Sequence, residues 1–158
     1  MNLKRLTWSF STALLMMAIS WLGFLNYISN PTTTQLSVYA FYSLSTWYLL
    51  FFNRKESQAF KDFFQIGFRH FILVTLLMAL FSYLFIQLHP NLVEDSAIQL
   101  RTTLQNTNNR TPAEIERDVK LFIEGYPTAM VSRTIFGYLV VGSMVTAISS
   151  FLLTLQKK

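Results

Sequence analysis

Apolar positions along this chain gather into four uncharged runs separated by polar or basic connections. Phe71–Leu88 is the clearest run. It reads FILVTLLMALFSYLFIQL, 18 residues without a charge, proline or glycine. As a helix it would span roughly 27 Å, close to the hydrocarbon thickness of a bilayer. Twelve of its residues are Leu, Ile, Phe or Val, which together favour insertion by roughly 5 kcal/mol at most. Leu6–Ile28, Gln35–Phe52 and Thr134–Leu155 are the other three runs. The first exceeds the 7–15 residues of a signal-peptide core, and Ser20, Trp21, Leu22 and Gly23 make a poor cleavage site, so a retained span is expected. Asn30 is placed to cap the second helix, with Pro31 at its first position.

The connections carry their own patterns. Phe60, Phe63, Phe64, Gly67 and Phe68 recur at helical spacing, with Lys61, Asp62, Gln65 and Arg69 on the other side. This predicts a helix start lying on the membrane surface and running on into the third span. Residues 89–126 are too long for a structureless loop. Leu92–Leu104 and Thr111–Glu124 are expected helices within it. The second has Thr111 as N-cap, Pro112 as first helical residue and Glu114 completing a capping box. Ile115, Val119 and Phe122 form its apolar face, and Gly125 with Pro127 is expected to end it.

Small and hydroxylated residues form stripes on the apolar runs, as close helix contact in lipid requires. The first run shows Ser9, Thr12, Ala13, Met16, Ser20 and Gly23. The third shows Thr75, Ala79 and Ser82, and the second, more weakly, Tyr39, Ser43 and Thr46. On the fourth, Gly142, Ser143, Thr146, Ala147, Ser149, Ser150 and Thr154 share one half of the helix. Met144, Val145, Ile148, Phe151, Leu152 and Leu155 share the other, with Leu153 misplaced. The fold class expected is all-α: an integral membrane, antiparallel four-helix bundle. Its helical extracytoplasmic insert, residues 89–126, lies between spans 3 and 4 (spans at about 6–28, 35–52, 71–88 and 134–155), all in one membrane domain. Trp8, Arg69, His70 and Arg133 sit near span ends and are expected interface anchors.

Composition narrows the function classes. The 158 residues are 52% hydrophobic and 13% charged, against about 25% charged in a soluble domain. The net charge of +5 flanks the apolar runs instead of forming a patch, which argues against nucleic acid. Lys4, Arg5, Arg54, Lys55, Lys61, Arg69, Lys157 and Lys158 fall on one side of the expected membrane. Arg101, Arg110, Arg117, Lys120 and Arg133 fall on the other, diluted by six acids. The positive-inside rule then puts both termini in the cytoplasm.

Chemistry-bearing patterns are sparse. There is no Cys, hence no disulfide or thiolate chemistry. The two histidines, His70 and His89, are 19 residues apart, so roughly 28 Å on one helix, and cannot share a metal. Outer acids such as Glu94, Asp95 and Glu116 have no nucleophile beside them, and no phosphate, dinucleotide or metal motif occurs. Asn109–Arg110–Thr111 fits the N-glycosylation triplet, a weak signal. No catalytic, cofactor or metal residues are expected, and the protein is not expected to be an enzyme.

From FKDFFQIG at Phe60–Gly67, through the third span and the polar outer helices, to the lysine end, the chain resembles the bacterial membrane proteins grouped as domain of unknown function 4199. The resemblance implies four transmembrane helices with a helical insert, in the bacterial inner membrane, and no known activity or site. The function expected is a structural or accessory role through protein contacts, with Thr111–Glu124 either the partner surface or a helix packed on the bundle. The alternative is a small oligomeric transporter or channel for a neutral solute. The partners expected are the lipid bilayer and a homo-oligomer or larger membrane complex, with no nucleic acid and no metal.

Overall fold

The structure, a computed structural model, describes residues 3–25, 31–54, 59–107 and 110–156. Among these it has five helices and no strand: α1 (Leu3–Phe24), α2 (Pro31–Phe52), α3 (Phe60–Leu88), α4 (Asn91–Asn106) and α5 (Pro112–Leu155). The Asn30 cap and the Asn109 triplet lie outside the described residues.

Helix ends follow local chemistry. Pro31 opens α2, where a missing N–H costs nothing. Asn53 closes it, donating Nδ2–H to the Leu49 carbonyl at 2.7 Å. The same side chain accepts a bond from Arg5 Nε at 2.8 Å, tying the start of α1 to the end of α2. Asp62 reaches back to the Ala59 N–H at 3.1 Å and starts α3. At α5 the capping box forms as the spacing predicts. Glu114 accepts from the Thr111 N–H at 2.8 Å and hydroxyl at 2.9 Å.

The helix that begins at Phe60 runs on into the third span, as expected, in one element, α3, which starts 11 residues before Phe71. Two features differ from the sequence expectation. Gly125 and Pro127 do not end the outer helix, so insert helix and fourth span are also one element, α5, of 44 residues. A glycine ends a helix by taking a left-handed backbone, and Gly125 has none. Pro127 removes one backbone bond, which leaves the turns on either side intact. The second difference concerns α2. Among the described residues α1, α3 and α5 are long and apolar enough to cross a membrane. α2 matches α1 in length and is uncharged, but Gln35, its tyrosines and its many hydroxyls keep it out of that set.

The chain divides into two compact units, Met1–Met78 with Thr134–Lys158, and Ala79–Arg133. In the first unit, neighbouring helices meet through paired residues. The start of α1 meets the end of α2 through Arg5–Asn53, and Gly23 near its end meets Thr34. α2 and α3 pair Leu50 with Phe63 and Tyr42 with His70. α3 and α5 pair Phe63 with Leu153, Gly67 with Thr146 and Phe71 with Gly142. Large residues such as Leu14, Leu44, Leu76, Phe136, Ile148 and Phe151 point outward.

In the second unit, Ala97 of α4 packs on Ile115 and Val119 of α5, with Leu100, Leu104 and Phe122 around them. Arg101–Glu116 at 2.8 Å and Arg110–Asp118 are exposed ion pairs at the edge of this small core.

Two predictions follow from the α5 backbone. A methyl group at Gly125 meets nothing within 4 Å. Gly125→Ala is therefore expected to stabilise the protein by about 0.5–1 kcal/mol, read as a raised thermal midpoint in detergent. The bond from the Thr111 N–H, then that from its hydroxyl, holds the Glu114 carboxyl below the usual range. A lowered folded pKa means the cap's contribution is full above about pH 4.3 and lost as pH falls through the folded value. Amide exchange at the start of α5 should be flat from pH 7 to 5, once corrected for intrinsic rates, and lose protection only at lower pH.

Candidate functional site

The interior of the first unit mixes polar side chains with apolar ones. On α1, Ser9, Thr12, Ala13 and Met16 are buried, as the stripe predicts. Their hydroxyls are used. Thr12 donates to the Trp8 carbonyl at 2.9 Å and lies 2.6 Å from Ser45, which accepts from Trp8 Nε1 at 3.1 Å. Trp8 also stacks on Tyr48, with ring centroids 5.0 Å apart. Trp8 thus joins α1 to α2.

His70 departs furthest from expectation. It is 1% exposed and turned into the interior of the first unit. The physical reason is tertiary: Ser9 of α1 and Tyr42 of α2 close over a ring that lies ten residues, or roughly 15 Å, along α3. Its Nδ1 lies 2.8 Å from Ser9 Oγ, and its ring stacks at 6.3 Å on Tyr42. Arg69 and Arg133 remain exposed.

α2, α3 and α5 approach through glycine. The Tyr42 hydroxyl sits against Gly142, and the Tyr39 hydroxyl against Gly137. Thr146 occupies the space over Gly67. On this side some hydroxyls bond carbonyls of their own helices, as Thr46 does to Tyr42 at 2.9 Å, but others are not paired. Tyr42 Oη, His70 Nε2, Thr75 Oγ1, Thr146 Oγ1 and Ser150 Oγ are all buried without a hydrogen-bond partner. Tyr42 and Thr75 are neighbours whose hydroxyls fall short of hydrogen-bond geometry. No Asp, Glu, Lys or Arg is buried among the described residues, and none of their acids and histidines cluster as metal ligands.

The remaining stripe residues scatter around this interior. Ala79 is buried, while Ser20, Gly23, Ser82, Ser143 and Ala147 are half-buried. Ser20 and Ser143 bond to carbonyls of their own helices. Leu153, misplaced by its helix face, is 2% exposed and packs with Leu50 and Phe63. Tyr42, Ser45, Gly67 and Gly137 are absent from the stripes read off the sequence. Val38, Tyr42, Ser45 and Leu49 do recur at spacings of three and four, a signal hidden by their mixed chemistry.

An exterior that water would disfavour and an interior that lipid would disfavour make sense together in one setting. They are the marks of a helical membrane protein. The chain belongs to the family described as protein of unknown function (DUF4199), whose model matches residues 7–154. No curated protein and no solved structure matches the chain.

The glycine contacts give a sharp prediction. A methyl group at Gly142 would lie 2.7 Å from Phe71 Cβ, closer than packed atoms tolerate. Gly142→Ala should destabilise by about 1–3 kcal/mol by overpacking, opposite in sign to Gly125→Ala in the same thermal assay.

Proposed function

We propose that this protein is a four-span component of the bacterial inner membrane, with α1, α2, α3 and the second half of α5 as an antiparallel bundle. Both termini lie in the cytoplasm, and α4 with the first turns of α5 forms the insert on the other side. The excess of Lys and Arg near the termini and the α2–α3 connection supports that orientation. The opposed pairings of Leu50 with Phe63 and Phe63 with Leu153 support α2 as a span despite its hydroxyls.

Within the membrane it acts as a structural or accessory protein through protein contacts, as a homo-oligomer or in a larger complex, and not as an enzyme. The observation that carries this role is the insert. Its Ile115, Val119 and Phe122 face, at first sight a partner surface, is taken up by α4. Ile98, Leu121 and Ile123 still point outward, and these are the residues a partner would cover. The unpaired hydroxyls inside the first unit favour a second reading, passage of a neutral solute. Flux through reconstituted vesicles separates the two.

Reporter fusions at either terminus are expected to score cytoplasmic, and a fusion after Asn106 to score outside; termini on different sides would overturn the topology. Deleting Asn91–Gly125 should leave insertion intact and abolish recovery of cross-linked partners, whereas partner persistence would defeat the proposed contact.

A further inference from the structure

The five unpaired atoms lie on α2, α3 and α5, and four of them gather around one stretch of α3. Tyr42 stacks on His70, and its hydroxyl lies beside Thr75 and against Gly142. Thr146 lies over Gly67, one turn before His70 on α3. Gly67 to Thr75 covers roughly 12 Å of helix. Buried polar atoms left unpaired are costly, and native interiors pair nearly all of them.

The hydrogen bonds on the α1 side define what His70 offers. Ser9 has one hydroxyl proton and lies 3.0 Å from the Arg5 carbonyl, which can only accept. Ser9 also lies 2.8 Å from His70 Nδ1. Both contacts are hydrogen bonds in one arrangement: Ser9 donates to Arg5, and Nδ1–H donates to Ser9. In the neutral ring, Nε2 then carries a lone pair and no proton. It accepts and does not donate. No charged side chain is buried nearby to offset an ion, so a charged occupant would be strongly disfavoured.

We propose that the interior between α2, α3 and α5, from Gly67 to Thr75, binds a small uncharged hydrogen-bond donor. The donor is water or a solute bearing O–H or N–H, accepted by His70 Nε2 and bridged by the hydroxyls of Tyr42, Thr75 and Thr146. The site goes beyond the accessory role, and it stands whether or not anything crosses the membrane.

The test uses the full chain in lipid vesicles with nitrogen-15-labelled histidine. His70 and His89 are its two histidines, and His89→Gln leaves the His70 signals alone. The expected spectrum has Nδ1 protonated, Nε2 unprotonated and an exchangeable proton in contact with Nε2. Contact in plain buffer identifies water as the occupant, and contact that appears only with added glycerol identifies a solute. A proton bonded to Nε2, or no exchangeable proton near it in either condition, overturns the site. Tyr42→Phe and Thr146→Val give an independent readout, since each removes a hydroxyl and keeps the shape. Each should lower the thermal midpoint by roughly 5 °C if its hydroxyl holds the occupant. An unchanged or raised midpoint, the result for a hydroxyl that bonds nothing, overturns the bridging role.

Discussion

Polar atoms inside the first unit cannot find partners on its outer faces, because those faces are oily. That constraint outweighs dispersion at any single position. A contact between two heavy atoms yields about 0.1–0.2 kcal/mol, whereas a buried donor or acceptor without a partner costs about 1–3 kcal/mol. α1 meets it by linking hydroxyls: Trp8 to Ser45, Ser45 to Thr12, and Ser9 to both Arg5 and His70. Asn53 meets it at the end of α2 with one bond in each direction. Glycine supplies the geometry on the other side, where Gly67 and Gly142 admit Thr146 and the Tyr42 hydroxyl. The hydroxyls decide which atoms face inward, and the glycines decide how near they come.

The second unit obeys the opposite rule. Its interior is ordinary hydrocarbon, with Ala97, Ile115 and Val119 enclosed by Leu100, Leu104 and Phe122, and its charges lie outside in exposed pairs. One chain thus holds two kinds of core. α5 serves both, changing its buried face from apolar at Ile115 and Val119 to hydroxylated at Thr146 and Ser150.

How legible these features are depends on how local they are. The α1 stripe could be read because size and polarity repeat with the helical turn, and burial at Ser9, Thr12, Ala13 and Met16 follows it. The Thr111–Glu114 cap is local in the same way. His70 could not be read, since its burial is set by the side chains of α1 and α2 that surround it. An apolar window opens only after Arg69 and leaves the ring at its edge. Gly125 and Pro127 misled because a stop signal acts only if the backbone takes the stopping conformation. The Ile115 face was legible as a face but not as an α4 contact, since any apolar surface would satisfy the same pattern. Leu153 shows the reverse case: a residue at odds with its stripe turned out to complete a cluster contributed by α2 and α3.

The absence of buried formal charge among the described residues has an electrical consequence. Moving one elementary charge through a membrane potential of 100 mV involves about 2.3 kcal/mol, enough to tilt a conformational balance by more than tenfold. Hydroxyl groups, peptide dipoles and an imidazole ring carry no fixed charge for such a field to push. The described interior around His70 therefore offers such a field no buried formal charge to move.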